Sequence, residues 1–311
     1  MKRTQQSILP DGLIRQLQDV IGPAQVSADL LSLSAVAADA SHYLLMPGAL
    51  VRATTADDVA RAMAAARRHK VGLTFRSGGT SLSGQGLTDG IMVDTRRAFR
   101  GIEVLDEGRR VRVQPGATIR AVNTVLARYQ RKLGPDPASS VACTVGGVLA
   151  DNSSGMSCGT IANSYQTLES MVIVLASGTV LDTADPDADD KLCSTEPELV
   201  EILLRLRETC RRPEHAERIR HLFSMKNTMG YGLNSFLDHD SPSQILSHLM
   251  IGSEGTLGFI ASAVMRTLPV MPQISTALLH FPTLESAAKA LPALLLSLIY
   301  ISEPTRLRRI S

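Results

Sequence analysis

The sequence has no tryptophan and few other aromatic residues. Its 311 residues include only five tyrosines and six phenylalanines, too few for the stacked aromatic platforms that bind single-stranded nucleic acid. Lysine and arginine total 32 against 30 acidic residues, which gives a net charge of +2. Such a charge balance offers no attraction for a phosphate backbone. The composition therefore predicts that nucleic acid is not a partner.

Cysteines and long apolar runs are also scarce. The four cysteines have no C-x-x-C spacing, so we predict free thiols and no metal site in this chain. Residues 1–7 lead into no apolar signal segment, and no run before the carboxyl end is long enough to cross a bilayer. We therefore expect a cytoplasmic protein. A hydrophobic fraction of 44% supports a sizeable core in two domains or subdomains.

Glycine, in contrast, is present in clusters. Residues 76–86 have the sequence RSGGTSLSGQG and follow the apolar run 71–75. Glycine allows backbone N–H groups to approach an anion closely, and serine and threonine add short donors. The segment therefore predicts a phosphate-binding loop. The alternative is a glycine- and serine-rich surface loop between two strands.

Two common phosphate-binding motifs do not fit this segment. Gly79 and Gly84 have the spacing of the P-loop, but Gln85 and Gly86 stand where that motif has Lys and Ser/Thr. A dinucleotide fingerprint beginning at Gly84 has Asp89 in place of its third glycine, and a strand-like run follows instead of a helix. The sequence thus disfavours both a nucleoside triphosphatase and a nicotinamide dinucleotide site.

Helical and strand-like patterns alternate along the chain. A capping signal at Thr54–Asp58 predicts a helix that ends near His69, and residues 106–108 predict a hairpin turn. Leu199, Ile202, Leu203 and Leu206 are expected on one face of their helix. The other expected helices cover 119–133, with Gly134 as the residue after its end, and 196–211; the expected strands are 71–75, 91–94, 101–105, 109–113, 171–176 and 259–268.

Two more glycine-rich segments follow the first. Residues 134–159 contain many small and polar residues, and residues 252–258, with the sequence GSEGTLG, enter a strand. Three such segments separated by regular elements can converge on one extended ligand.

Together these motifs resemble a known family. RSGGTSLSGQ at 76–85, GPDPASS at 134–140 with TVGG at 144–147, and GSEGTLG at 252–258 are similar to the FAD-binding module of the vanillyl-alcohol oxidase/p-cresol methylhydroxylase (PCMH) superfamily. The sequence most resembles bacterial D-lactate dehydrogenase-like and glycolate-oxidase-like FAD-linked oxidases, in particular long members with a later iron–sulfur domain. The resemblance runs from about Ser41 to Pro272.

The resemblance implies an α+β (mixed α/β) fold of the PCMH type. The FAD-binding domain would cover residues 41–272, with subdomains at about 41–116 and 117–272. An N-terminal helical lead-in would occupy residues 1–40, and the truncated start of a substrate domain would occupy 273–295.

The implied cofactor site is spread over the three segments. The first would wrap the FAD pyrophosphate, the second would line the flavin ring and ribityl chain, and the third would approach the adenine end or the isoalloxazine. The implied contacts are Arg76, Ser77, Gly78, Gly79, Thr80, Ser81, Ser83 and Gly84 in the first segment, Pro137, Thr144, Gly147, Asn152 and Gly155 in the second, and Gly255, Gly258 and Ile260 in the third.

Several side chains allow two interpretations. Thr80 stands where bicovalent members attach flavin to a histidine, so non-covalent FAD is implied. Arg76 either adds charge to the site or is a solvated surface arginine, and Glu254 is either a cap or a ligand. Tyr231 lies near the flavin or packs beside a turn glycine. Most of the histidines, among them His69, His215, His221, His239 and His248, are expected at the surface.

The implied function is FAD-dependent oxidation of a D-2-hydroxy acid to the 2-oxo acid, with hydride transfer to flavin N5. The substrate would be D-lactate-like, glycolate or D-2-hydroxyglutarate, and electrons would leave to a quinone, cytochrome or iron–sulfur domain. The catalytic base, and any iron–sulfur cluster, would lie in the missing carboxyl-terminal part, so catalytic residues stay unknown and the fragment itself is expected to be inactive. Peripheral association with the inner membrane is compatible with this function.

Two alternatives remain at this point. The chain is an FAD-binding module without turnover, or it is an NADPH-dependent reductase similar to the enolpyruvyl-UDP-sugar reductases. The Asp-Pro and Gly-Ser-Glu-Gly motifs favour the oxidase branch over the reductase.

The residues after 272 carry a separate set of predictions. A strand over 276–281 and a helix from Thr283 would begin the substrate domain. Residues 296–306 are similar to the translation of a sequencing-adapter read-through, so we predict that residues 296–311 are not native. An amphipathic tail is the alternative.

Overall fold

The fold is described from a computed structural model that covers residues 9–155, 158–273 and 278–302, with side chains to residue 294. One compact unit extends to Val270, and a second begins at Met271. The expected strand over 276–281 and the tail after residue 296 lie partly outside the described residues.

The first unit contains short helices and strands in mixed order. Its helices are α1 (Leu13–Ile21), α2 (Leu30–Ser34), α3 (Ala56–His69), α4 (Ile119–Leu126), α5 (Val145–Asp151), α6 (Ser164–Thr167), α7 (Ala188–Thr195), α8 (Pro197–Cys210), α9 (Pro213–Phe223), α10 (Ser235–Asp238) and α11 (Pro242–Leu249). Its strands are β1 (Val26–Ser27), β2 (Ala49–Val51), β3 (Leu73–Arg76), β4 (Ile91–Asp94), β5 (Ile102–Leu105), β6 (Arg110–Val113), β7 (Arg131–Leu133), β8 (Leu168–Val174), β9 (Val180–Asp182) and β10 (Phe259–Pro269). In the second unit, α12 spans Leu284–Ser302.

The first sheet has four strands in the order β1-β2-β4-β3. Strand β4 lies between β2 and β3 and is parallel to both, whereas β1 is antiparallel to β2. Strands β2 and β4 are buried at every position, as expected for parallel strands covered on both faces. Helix α3 starts with the predicted capping box of Thr55 and Asp58 and packs Val59 and Ala62 into the core.

The second sheet has six antiparallel strands. Its order is β5-β6-β10-β8-β9, and β7 also pairs with β10. The predicted hairpin of β5 and β6 is present, but it belongs to this second sheet. The chain therefore leaves the first sheet between Asp94 and Ile102, upstream of the expected subdomain boundary at residue 116.

The two sheets meet through aromatic side chains. The ring of Phe259, at the start of β10, lies 5.1 Å from the ring of Phe75 and 5.3 Å from that of Phe99, measured between centroids. Such tilted and edge-on pairs are favourable arrangements for aromatic rings. Because Phe75 belongs to β3, this contact holds the end of β3 beside the start of β10. The first and third glycine segments are therefore neighbours in space.

The expected helix over residues 119–133 is wrong in its second half. Helix α4 ends at Leu126 and is followed by a 3-10 turn and a left-handed residue, Gln130, with φ 55°. Strand β7 then pairs with β10, and the Asn123 side chain accepts a hydrogen bond from the Leu133 backbone. Pairing with the long strand β10 outweighs the helical propensity of this segment.

The apolar face expected on α8 is packed only in part. Leu203 is buried, but its buried companion is Val200, whereas Ile202 and Leu206 are 43% and 42% exposed. Val200 and Leu204 widen the apolar face beyond the four expected residues, so the spacing alone does not identify the packed side. Among the residues that the structure describes, no helix is both long enough and apolar enough to span a bilayer.

Candidate cofactor site

A cleft of about 340 Å³ lies where the three glycine segments meet. The first segment lines it with residues around the end of β3, the second with the start of α5 and the loop before it, and the third with the turn before β10. The predicted site residues on its wall are Arg76, Ser77, Gly78, Gly79, Thr80, Ser81, Ser83, Gly147, Gly255, Gly258 and Ile260.

The first loop presents unpaired backbone donors. Within the described residues, the backbone N–H groups of Gly78, Gly79, Thr80 and Ser81 donate to no protein acceptor. Each of these residues lines the cleft. Consecutive N–H groups of this kind form an anion-binding concavity. We refer to residues 78–81 as the amide cradle.

Glycine is required in the amide cradle for two different reasons. A Cβ atom on Gly78 would lie 2.5 Å from the Ala142 carbonyl oxygen and 2.9 Å from Cys143 Cα, so the loop packs directly against the second segment. Gly79 has φ 67°, a left-handed conformation that favours glycine. Both positions therefore fix the path of the loop over the cleft.

Arg76 is a buried anchor of the loop and not a solvated surface residue. It is 6% exposed; its Nη2 donates to the Ala38 carbonyl at 2.6 Å and its Nη1 to the Gly86 carbonyl at 3.4 Å. Burial lowers the pKa of this guanidinium, but an arginine remains charged at neutral pH. Its positive charge therefore lies at the cleft, while its donors join the end of the loop at Gly86 to the segment at Ala38.

The second segment contacts the first through hydroxyl groups. Thr144 caps the start of α5 and is 2% exposed, and its Oγ1 is hydrogen-bonded to Ser77 Oγ. A Cβ atom on Gly147 would lie 2.7 Å from the same Ser77 oxygen. The first turn of α5 is thus packed against the beginning of the amide cradle.

The third segment is docked on the carboxyl end of α5. The Gly252 backbone N–H donates to the Leu149 carbonyl at 3.0 Å, and the Glu254 N–H donates to the Ala150 carbonyl at 2.9 Å. These bonds satisfy carbonyl groups that a helix end leaves without partners. The docking places the Glu254 carboxyl beside that of Asp151, and both residues line the cleft.

Glu254 has an unusual electrostatic environment. Burial, and then a hydrogen bond and charge repulsion from Asp151, raise the pKa of its carboxyl to about 7, against a contact with Gln85 that lowers it. The Gln85 Nε2 lies 3.5 Å from Glu254 Oε1. A side chain from the first segment therefore reaches the carboxyl pair formed by the other two.

Some predicted site residues do not line the cleft. Gly84 lies in the first loop against the ring of Tyr43. Thr144 is buried behind Ser77, and Asn152 caps the end of α5 beside a separate small cavity. The other two, Pro137 and Gly155, lie near the Asp136–Gly155 bridge. As cofactor contacts, these five residues remain predictions.

Sequence reasoning also overlooked residues of the cleft wall. Cys143, Ser139, Pro115, Asp151 and Gln85 line it without having been proposed as contacts. Asp151 had a detectable signal, since it stands directly before Asn152 in a segment rich in small residues. Pro115 had none, because it lies outside all three glycine segments.

Tyr231 is 44% exposed, and its hydroxyl lies 2.7 Å from Thr256 Oγ1 in the third segment.

The residues of the cleft fit the diphosphate of a dinucleotide cofactor. The amide cradle offers four donors that the described protein leaves unused, and the buried Arg76 adds a positive charge. The Ser253 hydroxyl at the third segment is likewise buried without a partner. A buried donor such as this hydroxyl is costly to leave unpaired, and a ligand or water can satisfy it.

Comparison with known proteins gives the family that part of this chain resembles. Residues 47–184 match the family described as FAD binding domain. The chain is 33% identical over 254 residues to the D-2-hydroxyglutarate dehydrogenase of Pseudomonas putida, an alignment that covers 79% of this chain and 25% of that protein. It is 25% identical over 252 residues to glycolate oxidase subunit GlcD of Escherichia coli, covering 80% of this chain and 40% of GlcD.

The fold agrees with that comparison. A solved structure of alkyldihydroxyacetonephosphate synthase superposes with a TM-score of 0.56 at 20% identity, covering 84% of this chain and 41% of the other. This likeness concerns the PCMH-type fold alone. The chain spans about a quarter of the length of the D-2-hydroxyglutarate dehydrogenase that it matches. Residues 47–184 of this chain therefore match the FAD binding domain family, and the chain is similar, over about four fifths of its length, to D-2-hydroxyglutarate dehydrogenases and to glycolate oxidase subunit GlcD.

Proposed function

We propose that this chain is the FAD-binding part of a flavoenzyme that oxidises a D-2-hydroxy acid to the corresponding 2-oxo acid. The relatives named above act on D-2-hydroxyglutarate or glycolate, and these acids share the same reacting group. D-lactate belongs to the same substrate class. A quinone, a cytochrome or an iron–sulfur domain would accept the electrons, in a cytoplasmic protein or one attached peripherally to the inner membrane.

The amide cradle is the observation that carries the proposal. Four consecutive N–H donors without protein acceptors line a cleft whose other walls come from the second and third glycine segments. An anion bound there would complete the hydrogen bonding of the loop, and burial would strengthen each bond. Arg76 would add favourable charge without leaving its carbonyl partners.

Different residues of the cleft would hold different parts of FAD. The cradle would bind the diphosphate, while Gly147, Gly255 and Gly258 would let the backbone approach the rest of the cofactor. When bound, FAD supplies the redox chemistry and accepts hydride from the hydroxy acid. The role of this chain would be to bind and orient the cofactor, and the groups that take the substrate proton would lie in the part of the relatives that the alignment does not cover.

We propose that FAD is held without a covalent bond. Thr80, at the position that the resemblance assigns to a flavin-linked histidine, lines the cleft and has no strong nucleophile. Cys143 also lines the cleft, but burial raises the pKa of its thiol. A protonated thiol is a poor nucleophile, so neither side chain favours attachment.

The first experiment is a visible spectrum of the purified full chain before and after FAD addition and gel filtration. We expect flavin absorption that follows the protein, and yellow cofactor in the supernatant after acid precipitation. Flavin that stays with the precipitate would reject non-covalent binding. Protein that retains no flavin after FAD addition would reject the proposed function.

A second experiment separates an enzyme from an FAD-binding module without turnover. The flavin-loaded chain is mixed without oxygen with D-2-hydroxyglutarate, D-lactate or glycolate, and with L-lactate as a stereochemical control. Because the chain covers only part of its relatives, we expect the flavin to stay oxidised in this chain and to be bleached in a protein extended to the relatives' full length. Bleaching of the short chain by a D-acid would show that the substrate groups lie within these residues.

A further inference from the structure

The cleft has two faces of opposite electrostatic character. On one side, the amide cradle and Arg76 favour an anion. On the other side, Asp151 at the end of α5 and Glu254, whose backbone N–H donates to the Ala150 carbonyl, bring two carboxyl groups to the cleft wall. The carbonyl end of a helix carries partial negative charge, so this second face opposes an anion unless a proton is present.

The two faces lie close enough to act on one ligand. Gln85 belongs to the same loop as the cradle, since it follows Ser81 by four residues, and its Oε1 accepts a hydrogen bond from Ser81 Oγ. Its Nε2 lies 3.5 Å from Glu254 Oε1. One glutamine therefore connects the cradle to the carboxyl pair. An anion held by the cradle has Glu254 as a neighbour.

The charged neighbours of Glu254 are known from the described residues. From α5, Asp151 raises its pKa, and from the first loop the uncharged Gln85 lowers it. Arg76 lines the same cleft, but its guanidinium donates to the Ala38 and Gly86 carbonyls. No lysine, arginine or histidine of the described chain acts on the Glu254 carboxyl strongly enough to hold it ionised.

From this geometry we infer that Glu254 holds a proton when FAD occupies the cleft, so that cofactor binding takes up a proton and weakens as the pH rises. The inference rests on the proposed function. An ionised Glu254 would repel the diphosphate, whereas a protonated Glu254 is neutral and removes that repulsion. An anion in the cradle favours the protonated form further.

The direction of the pH dependence follows from linkage. The pKa of Glu254 in the protein without cofactor is about 7, and the bound anion raises it, so the complex binds more protons than its separate components do. Affinity is then highest below pH 7 and falls above it. Between about pH 6 and about pH 8 the dissociation constant of FAD should rise by up to about tenfold.

The test measures FAD binding to the full chain by quenching of flavin fluorescence across this pH range. Titration calorimetry in two buffers of different ionisation enthalpy counts the protons taken up near neutral pH. The informative variant is Glu254→Gln, which keeps the shape and stays neutral. We expect its affinity to be independent of pH and, at about pH 8, several-fold tighter than that of the unaltered chain.

Two further variants complete the design. Glu201→Gln, on the exposed surface of α8, should follow the unaltered chain at every pH. Asp151→Asn removes the neighbour that raises the pKa of Glu254, so the midpoint of the pH dependence should move to lower pH. Misfolding would lower the FAD affinity of a variant. A gain of affinity in Glu254→Gln at high pH therefore cannot come from misfolding.

The outcomes separate this inference from the proposed function. FAD binding with a flat pH profile and no proton uptake overturns the inference and leaves the proposed function intact. A loss of affinity in Glu254→Gln at all pH values also overturns it, because an ionised carboxylate would then be the favourable form. Absence of FAD binding at every pH overturns both.

Discussion

The first unit contains two groups of polar atoms, one made mainly of backbone donors at the cleft and one made of side chains that pair with each other. In the cleft, the amide cradle and the Ser253 hydroxyl have no acceptor or donor within the described chain. Beneath helices α10 and α11, the Tyr165 hydroxyl donates to Asp238 at 2.7 Å, and His248 Nδ1 lies 2.9 Å from the Gln244 carbonyl. The rings of His239 and His248 are 3.9 Å apart. We refer to this second group as the histidine cluster.

The difference between the two groups indicates their roles. Polar groups that pair with each other inside a protein hold its elements in one arrangement, whereas groups left unpaired carry a free-energy penalty that a ligand can remove. The cleft therefore has the character of a binding site. The histidine cluster contains titratable residues, but it has the character of packed structure.

The largest expected effect comes from Gly78→Ala in the amide cradle. Because the added Cβ would lie 2.5 Å from the Ala142 carbonyl oxygen, the loop must move away from the second segment and its donors must turn. We expect FAD affinity to fall by about 10-fold to 100-fold, the equivalent of about 1–3 kcal/mol. Fluorescence titration with FAD measures it.

Gly72→Ala is the matched control for that experiment. A Cβ at Gly72, just before β3, meets no heavy atom within 4 Å, so FAD affinity should stay unchanged. Equal affinity in both variants would mean that the donors of the cradle do not hold the cofactor. The unpaired donors of the cleft would then not distinguish a binding site from the paired histidine cluster.

Arg76→Met should have the next largest effect, and mainly on stability. The substitution leaves the Ala38 and Gly86 carbonyls without their charged donor, which costs about 2 kcal/mol of unfolding free energy. Urea denaturation followed by circular dichroism measures the change. Arg97→Met, at an exposed position after β4, is the control. Similar stability in both variants would contradict the anchoring role of Arg76.

Local patterns predicted much of this fold. The capping box before α3, strand β4, the hairpin of β5 and β6 and the long strand β10 lie where the pattern placed them, because each has a strong signal within a few residues. The end of α4 was wrong because strand β7 depends on pairing with β10, more than 120 residues away in the chain. Long-range pairing of this kind leaves no mark in a short window.

The site was less predictable than the fold. The glycine segments indicated where backbone could approach a ligand, and eleven of their sixteen predicted contacts line the cleft. Side-chain positions depend on packing that the sequence does not display. Arg76 was as compatible with solvent as with burial, and His248, expected at the surface, is 8% exposed. That histidine expectation was wrong because helix α11 is buried over most of its length.

The histidine cluster offers a smaller, pH-dependent test. Burial, and then the neighbouring His239, lowers the pKa of His248 from 6.5 to about 4. The unfolded chain therefore binds a proton more readily than the folded one, so the stability from His248 is present above pH 6.5 and is lost as the pH falls towards 4. Between about pH 7.5 and about pH 5.5 this loss should be about 1 kcal/mol.

Comparison with His248→Gln isolates that contribution. We expect the stability of this variant to decline less over the same pH range, whereas His221→Gln, at an exposed position in α9, should follow the unaltered chain. The contribution of Glu254 to the pH dependence of stability has the opposite sign, because its raised pKa stabilises the folded state at low pH. Glu254 is present in all three proteins, so its contribution cancels in the comparison. Parallel pH profiles would mean that His248 is protonated as easily in the folded state as in the unfolded one.

The smallest expected effect is that of Leu82→Ser, next to the amide cradle. Leu82 lines the cleft, yet it is 76% exposed, so its side chain contributes little to the core. We expect a stability change within about 0.5 kcal/mol and an FAD affinity within about twofold of the unaltered chain. A loss as large as that of Gly78→Ala would mean that side chains of the loop, and not its backbone donors, hold the cofactor. If Leu82→Ser binds FAD as tightly as the unaltered chain while Gly78→Ala does not, the backbone of the loop, and not the exposed Leu82 side chain, determines binding.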